Sequence, residues 1–215
     1  MINSYRRDLL DKEIELHQAN FFGRMLDIGG GTKRGNLIEF PYCIDHIILD
    51  SDKRTRPTVI GNAEHLPFKN NTIDSIKCTE VLEYLNSPEQ AISEMHRVLK
   101  DFGGLTVSIP FNLGIHYDND LVRFTKYKLE TMFDKAGFRI CYLSEQGKYF
   151  TVLGYMLKQA ILNIKSRTRW LLYWIFPILD LMTRLDNWNF VKNSQFLSSF
   201  TTGYFMSIIK RGNKH

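Results

Sequence analysis

A chain of 215 residues, 44% hydrophobic and 24% charged, is long enough for one domain with a full core and short for two. The net charge of +5 permits nucleic acid or an anionic membrane surface as partner without demanding either; Lys and Arg are spread along the chain, so most read as solvated surface. Three cysteines, Cys43, Cys78 and Cys141, stand far apart in no metal-ligand spacing, which excludes a metal framework. Lying in or beside predicted strands, they read as buried free thiols in a reducing compartment.

Residues 4–20 carry Leu9, Leu10, Ile14 and Leu16 among many charges, an amphipathic helix able to cover a sheet edge. This charged start has no leader pattern, so a cytoplasmic location is expected. A first strand follows at Arg24 to Ile28, then a glycine turn and a short helix at about Asn36 to Phe40. The second strand is Ile44 to Leu49, the third Thr58 to Gly61 between Pro57 and Gly61, and the fourth Ile73 to Cys78 after the turn Lys69-Asn70-Asn71. Ala91, Ile92, Met95, Val98 and Leu99 recur at helical spacing, predicting a helix from Pro88 to Leu99 with Ser87 as N-cap and Gly103-Gly104 as terminator. A fifth strand is Leu105 to Ile109, then come a helix from Lys126 to Ala136 capped by Thr125, and a strand from Phe138 to Leu143. Strands alternating with helices at these lengths imply an α/β fold, a doubly wound, mainly parallel sheet of seven strands.

Residues 145–199 break this rhythm as a helical insertion before the last strand, Gly203 to Lys210. Within it, Trp170 to Leu179 is apolar and flanked by Lys165, Arg167, Arg169 and Arg184. The run is shorter than the roughly 20 residues that span a bilayer, and Pro177 and Asp180 interrupt it. Two readings stay open: a cap over the active site, or an interfacial element at 165–184 resting peripherally on anionic headgroups at the inner face of a membrane. The organisation expected is a single domain over 1–215, with a helix at 1–20, a cofactor-binding core at 24–143, the insertion and the last strand.

The chemistry centres on Leu26-Asp27-Ile28-Gly29-Gly30-Gly31-Thr32. Glycine there lets the backbone take φ > 0 and lets a ligand approach without a Cβ in the way. Some twenty residues on, Asp50 ends the second strand, at the place and distance of a carboxylate that meets a nucleoside ribose. The dinucleotide pattern is not met, since Arg34 stands where its third glycine belongs. Asp27 would repel a pyrophosphate and attract an ammonium, which points to S-adenosylmethionine. Asn62 to Glu64 and Thr79-Glu80 fall at the carboxyl ends of further strands, where ligands sit in such sheets.

With Gly61-Asn62-Ala63-Glu64-His65-Leu66-Pro67-Phe68, Thr79-Glu80-Val81-Leu82-Glu83-Tyr84 and Glu94-Met95-His96-Arg97-Val98-Leu99-Lys100 in order, the chain resembles a class I S-adenosylmethionine-dependent methyltransferase of the type 11 group. The resemblance implies a Rossmann-like fold and a cofactor site of Asp27, Gly29, Gly30, Gly31, Asp50, Asn62, Ala63, Glu64, Thr79 and Glu80. Asp27 and the glycine backbone would meet the methionine portion, Asp50 both ribose hydroxyls, and the Asn62 amide oxygen the adenine amino group. Departures are Asn62 for the usual Asp, Lys33 for a frequent third glycine, and Tyr84 where His is common. The loop after the fifth strand resembles a His…Asp-x-x-Arg-aromatic-Thr signature, which makes His116 a candidate general base and Asp120 a candidate catalytic residue. The rival reading is an internal Asp120–Arg123 ion pair that only fixes the loop. The implied activity is methylation of an oxygen on a small-molecule, sugar or lipid-linked acceptor, with no nucleic acid partner expected. The alternatives are RNA methylation, prompted by the positive charge, and a membrane-associated binding protein that has lost turnover, prompted by Lys33 and Asn62.

Overall fold

The computed structural model describes residues 5–31, 39–114, 120–165 and 167–212. Helix α1 (Tyr5–Leu16) leads to β1 (Phe22–Ile28), β2 (Tyr42–Asp50), the short β3 (Val59–Ile60) and β4 (Ile73–Thr79). Helix α2 (Pro88–Val98) runs straight into β5 (Leu99–Pro110), followed by α3 (Lys126–Lys135) and β6 (Phe138–Glu145). The insertion holds α4 (Tyr149–Leu162), a 3-10 stretch at Arg167–Ile175, α5 (Phe176–Thr183), a 3-10 turn at Arg184–Asn187, α6 (Asn189–Asn193) and α7 (Gln195–Ser198); β7 (Gly203–Lys210) closes the chain.

The seven strands form one sheet in the order β3-β2-β1-β4-β5-β7-β6. Only β7 runs against its neighbours, β5 and β6; the other pairings are parallel. Strand order reverses between β1 and β4, which opens a crevice at their carboxyl ends.

The pleat sorts the core into two faces, because successive side chains of a strand point opposite ways. Leu26 and Ile28 of β1 join Ala91, Met95, Leu129 and Phe133 of α2 and α3 in the larger cluster. Met25 packs the other way, against Leu10 and Ile14 of α1, with Phe21 and Phe205. Helices therefore cover both faces of the sheet, the doubly wound arrangement that the alternation predicts.

Several local expectations are corrected. Gly103-Gly104 does not terminate α2. The helix ends at Val98, and both glycines lie inside β5, where three residues are taken up between the Ile73–Leu99 and Ser75–Gly104 pairings. Phe102 is left-handed in that jog (φ 63°), and a Cβ on Gly103 would lie 2.8 Å from the Lys100 carbonyl oxygen. Cys141 is exposed, not buried, since it is the extra residue where register shifts on the edge strand β6; Cys78 is buried and Cys43 half-buried. Ser87 occupies the N-cap of α2 without a side-chain bond, whereas Thr125 caps α3 by accepting from the Lys128 N–H. The helix expected at 36–40 falls mostly outside the described residues, and Glu39 and Phe40 are not helical.

Candidate cofactor and active site

A cavity of about 330 Å³ opens at the carboxyl ends of β1, β2 and β4. Among the described residues it is lined by Ile28, Gly29, Leu49, Asp50, Ser51, Gly61, Asn62, Ala63, Glu80, Val81, Tyr84 and Leu85. The sequence-predicted Gly29, Asp50, Asn62, Ala63 and Glu80 thus meet in one place. Asp27, Gly30, Gly31, Glu64 and Thr79 do not line it. His116 and Thr32 to Gly35 lie outside the described residues.

Each lining residue has a local cause. Gly29 takes φ +73°, and a Cβ there would collide with Val81, so the turn brings backbone rather than side chain to the cavity. Its N–H donates to the Leu49 carbonyl at 2.8 Å, which ties the turn to β2. Asp50 ends β2 and accepts one hydrogen bond, from the Asp52 N–H at 2.8 Å. A carboxylate has about four lone-pair sites, so capacity remains for a ligand diol. The Asn62 side-chain oxygen accepts from the Glu64 N–H at 2.9 Å, and the Glu64 carboxylate accepts from the Asn62 side-chain amide at 3.2 Å and from the Ser87 N–H at 2.6 Å.

The acid inside the glycine motif is not a free carboxylate. Asp27 is buried, and Lys77, its direct partner across β4, donates to both its oxygens at 2.8 and 2.9 Å. Burial pushes the Asp27 carboxyl up, but the Lys77 ammonium and the neighbouring His46 more than offset it and hold the group below the usual range. A Cβ on Gly30 would sit 2.5 Å from the Asp27 carboxyl carbon, so that glycine is needed for the carboxylate to lie under the turn.

Glu80 follows β4 with φ +58°, a conformation costly for a residue with a Cβ and common at ligand sites. Its N–H donates to the Ser108 carbonyl, and its carboxylate accepts from Nε and Nη2 along one edge of the Arg6 guanidinium, from α1, and from the Ser108 hydroxyl. Arg6 is itself buried and also donates to Gln146 (2.6 Å) and Ser108 (3.1 Å). One turn on, Glu83 is buried with neither carboxyl oxygen hydrogen-bonded among the described residues. Burial, with Glu80 nearby, raises its pKa to about 8. Asp120 forms an ion pair with Arg123, the arrangement of the rival reading for this loop.

Sequence reasoning missed Lys77 and Arg6. Lys77 carries a visible signal, the one cation within the strand Ile73-Asp74-Ser75-Ile76-Lys77-Cys78-Thr79, whose register meets Asp27. Arg6 carries none, because its partner lies 74 residues away.

This fold and crevice are those of a nucleoside-binding transferase. A family model described as "Methyltransferase domain" matches residues 41–107. An uncharacterized protein of Methanocaldococcus jannaschii is 30% identical over 156 residues, 66% of this chain and 68% of the relative. A demethylmenaquinone methyltransferase of Renibacterium salmoninarum is 36% identical over 98 residues, 40% of each chain. The crystal structure of a SAM-dependent methyltransferase from Archaeoglobus fulgidus superposes with a TM-score of 0.59 at 14% identity, covering 95% of this chain and 94% of that one. The chain belongs to the S-adenosylmethionine-dependent methyltransferases of the type 11 group, and its cofactor is S-adenosylmethionine.

Proposed function

We propose that the enzyme moves a methyl group from S-adenosylmethionine to an oxygen of a small or lipid-linked acceptor. Asp50 accepts from the ribose hydroxyls, a two-bond task suited to a carboxylate that, among the described residues, is bound once from within. The Asn62 amide oxygen keeps one lone pair for the adenine amino group. Both acids near the glycine turn are already paired, Glu80 with Arg6 and Asp27 with Lys77, so the ammonium is met by their remaining lone pairs, Glu80 from the cavity wall and Asp27 from beneath the turn. The cofactor supplies an electrophilic methyl, so the chain's own task is positioning the acceptor and accepting its proton.

The observation that supports an acceptor beneath the insertion is where its roots are fastened. The Phe111 N–H donates to the Thr202 carbonyl at 2.8 Å, and the Asn112 side-chain amide to the Thr201 carbonyl at 2.9 Å. Gln146, at the other root, exchanges backbone bonds with Gly203 and Thr202 and binds Arg6. The insertion therefore rises from the carboxyl end of β5, beside the cavity. Its apolar composition, and the likeness to an enzyme named for demethylmenaquinone, favour a lipid-like acceptor over RNA. Incubation with methyl-labelled cofactor and fractionated cell extract tests this. Label should enter the lipid or glycan fraction; label confined to RNA would refute the proposal.

A further inference from the structure

We propose that the insertion docks the chain onto an anionic lipid bilayer through the face that carries Trp170, Trp174, Ile178 and Leu181. These side chains stand in solvent, Trp174 78% and Ile178 65% exposed, while Phe176 and Leu179 of the same α5 turn inward. Trp188 and Phe190, at and just before the start of α6, extend the exposed apolar surface. Large apolar side chains concentrated and exposed in one segment mark an interaction surface.

The charge distribution chooses the partner. Between Gln146 and Phe200 there are seven Lys and Arg residues against two Asp, a surplus of five, so this stretch accounts for the whole net charge of +5. Both aspartates are bonded within the chain, although the Asp180 side chain is half exposed. Asp180 accepts from the Tyr5 hydroxyl (2.5 Å) and Lys158 (3.0 Å); Asp186 is buried and accepts from the N–H groups of Lys148, Phe150 and Thr151. Lys165, Arg184 and Lys192 are exposed around the apolar face. Pairing this face with a second copy would bring two basic rims together, whereas anionic headgroups neutralise the rim as the indoles enter the interface. Among the described residues no helix is long and apolar enough to cross a membrane, so the contact is peripheral.

The docking face is also bolted to the catalytic end. Lys158 lies 4.4 Å from the centroid of the Tyr5 ring and pairs with Asp180, and the next residue of α1 is Arg6, which holds Glu80 at the cavity wall. Docking would hold the cavity mouth at a fixed height over the lipid, whichever acceptor is methylated.

Co-sedimentation of the full chain with vesicles of phosphatidylcholine alone, and of phosphatidylcholine mixed with phosphatidylglycerol, tests the proposal. Binding is expected only to the mixed vesicles, with a blue shift of tryptophan emission and weakening in high salt. The double variant Trp174→Ser/Ile178→Ser should lose about tenfold or more in partitioning. Arg184→Gln/Lys192→Gln should lose roughly 25-fold, about fivefold for each charge. S-adenosylhomocysteine affinity measured on each variant should match the parent, which shows that the fold and the cofactor site are intact. Failure of the parent to bind mixed vesicles, or equal binding by both folded variants, would overturn the proposal. So would a dimer by light scattering that Trp174→Ser dissolves, since the face would then belong to a second copy. None of these readouts involves methyl transfer, so they stand or fall separately from the choice of acceptor.

Discussion

Replacing Asp50 by Ala tests the cofactor site most directly. In the folded chain its carboxylate receives one internal hydrogen bond, from the Asp52 N–H, so deletion costs the fold only about 1 kcal/mol. The cofactor would lose two hydrogen bonds to a charged acceptor, each worth about 1.5–3 kcal/mol. Taking the lower value for both gives about 3 kcal/mol, or roughly 150-fold in Kd. Asp50→Asn keeps one acceptor oxygen and should fall between the two. Isothermal titration with S-adenosylhomocysteine measures the loss without needing an acceptor, and a denaturant melt of the free protein separates it from unfolding. An unchanged Kd for a folded Asp50→Ala variant would refute the assignment and move the ribose elsewhere in the cavity.

Three other outcomes follow from buried charges. The depressed pKa of Asp27 means that its pair with Lys77 stabilises the fold above the ordinary carboxylate range, and that this contribution is lost as pH falls through the depressed value. Lys77→Met leaves Asp27 buried and uncompensated, at a cost of about 3–5 kcal/mol, and reverses the sign: burial then raises the carboxyl, so urea melts should show the variant closer to the parent in acid than at neutral pH. Glu83, raised to about 8, stays protonated in the fold where the unfolded chain has ionised, so it costs stability increasingly from about pH 4.5 up to that value. Glu83→Gln should therefore gain on the parent between pH 5 and pH 8 in the same melts, and a constant difference would refute the assignment. Asp186→Ala strips three N–H groups at the start of α4 of their acceptor and should lower stability by about 3 kcal/mol by chemical denaturation, with cofactor affinity unchanged.

Much of the fold could be read from spacing. The alternation of strands and helices, the glycine turn after β1 and Asp50 at the end of β2 are local patterns, and they place the crevice where the strand order reverses. Asp27 was legible as a motif residue but not in its contacts, and the pleat explains why. Met25 and Asp27 share the face packed by α1, whereas Ile28 and Gly29 reach the cavity, so the acid lies under the turn. Its charge could be weighed only once Lys77 was known to stand beside it in register. The jog at Gly103-Gly104 escaped for a related reason, since two glycines after a helix look the same whether they end it or let the next strand fold tightly.

The role of α1 was invisible because it depends on contacts across the whole chain. Tyr5 and Arg6 are adjacent, yet one meets Asp180 in the insertion and the other Glu80 at the cavity. Burial, helped by the Asp180 carboxylate, raises the Tyr5 hydroxyl well above its ordinary pKa, so it remains the donor throughout the physiological range. Arg6 leaves no room for a side chain at position 203, since its guanidinium occupies the space where a Cβ would project from Gly203. The first helix is thereby wedged between the last strand, the insertion and Glu80 at the cavity wall. A motion of the insertion would act on Glu80 through the adjacent side chains of Tyr5 and Arg6, without any change in the sheet.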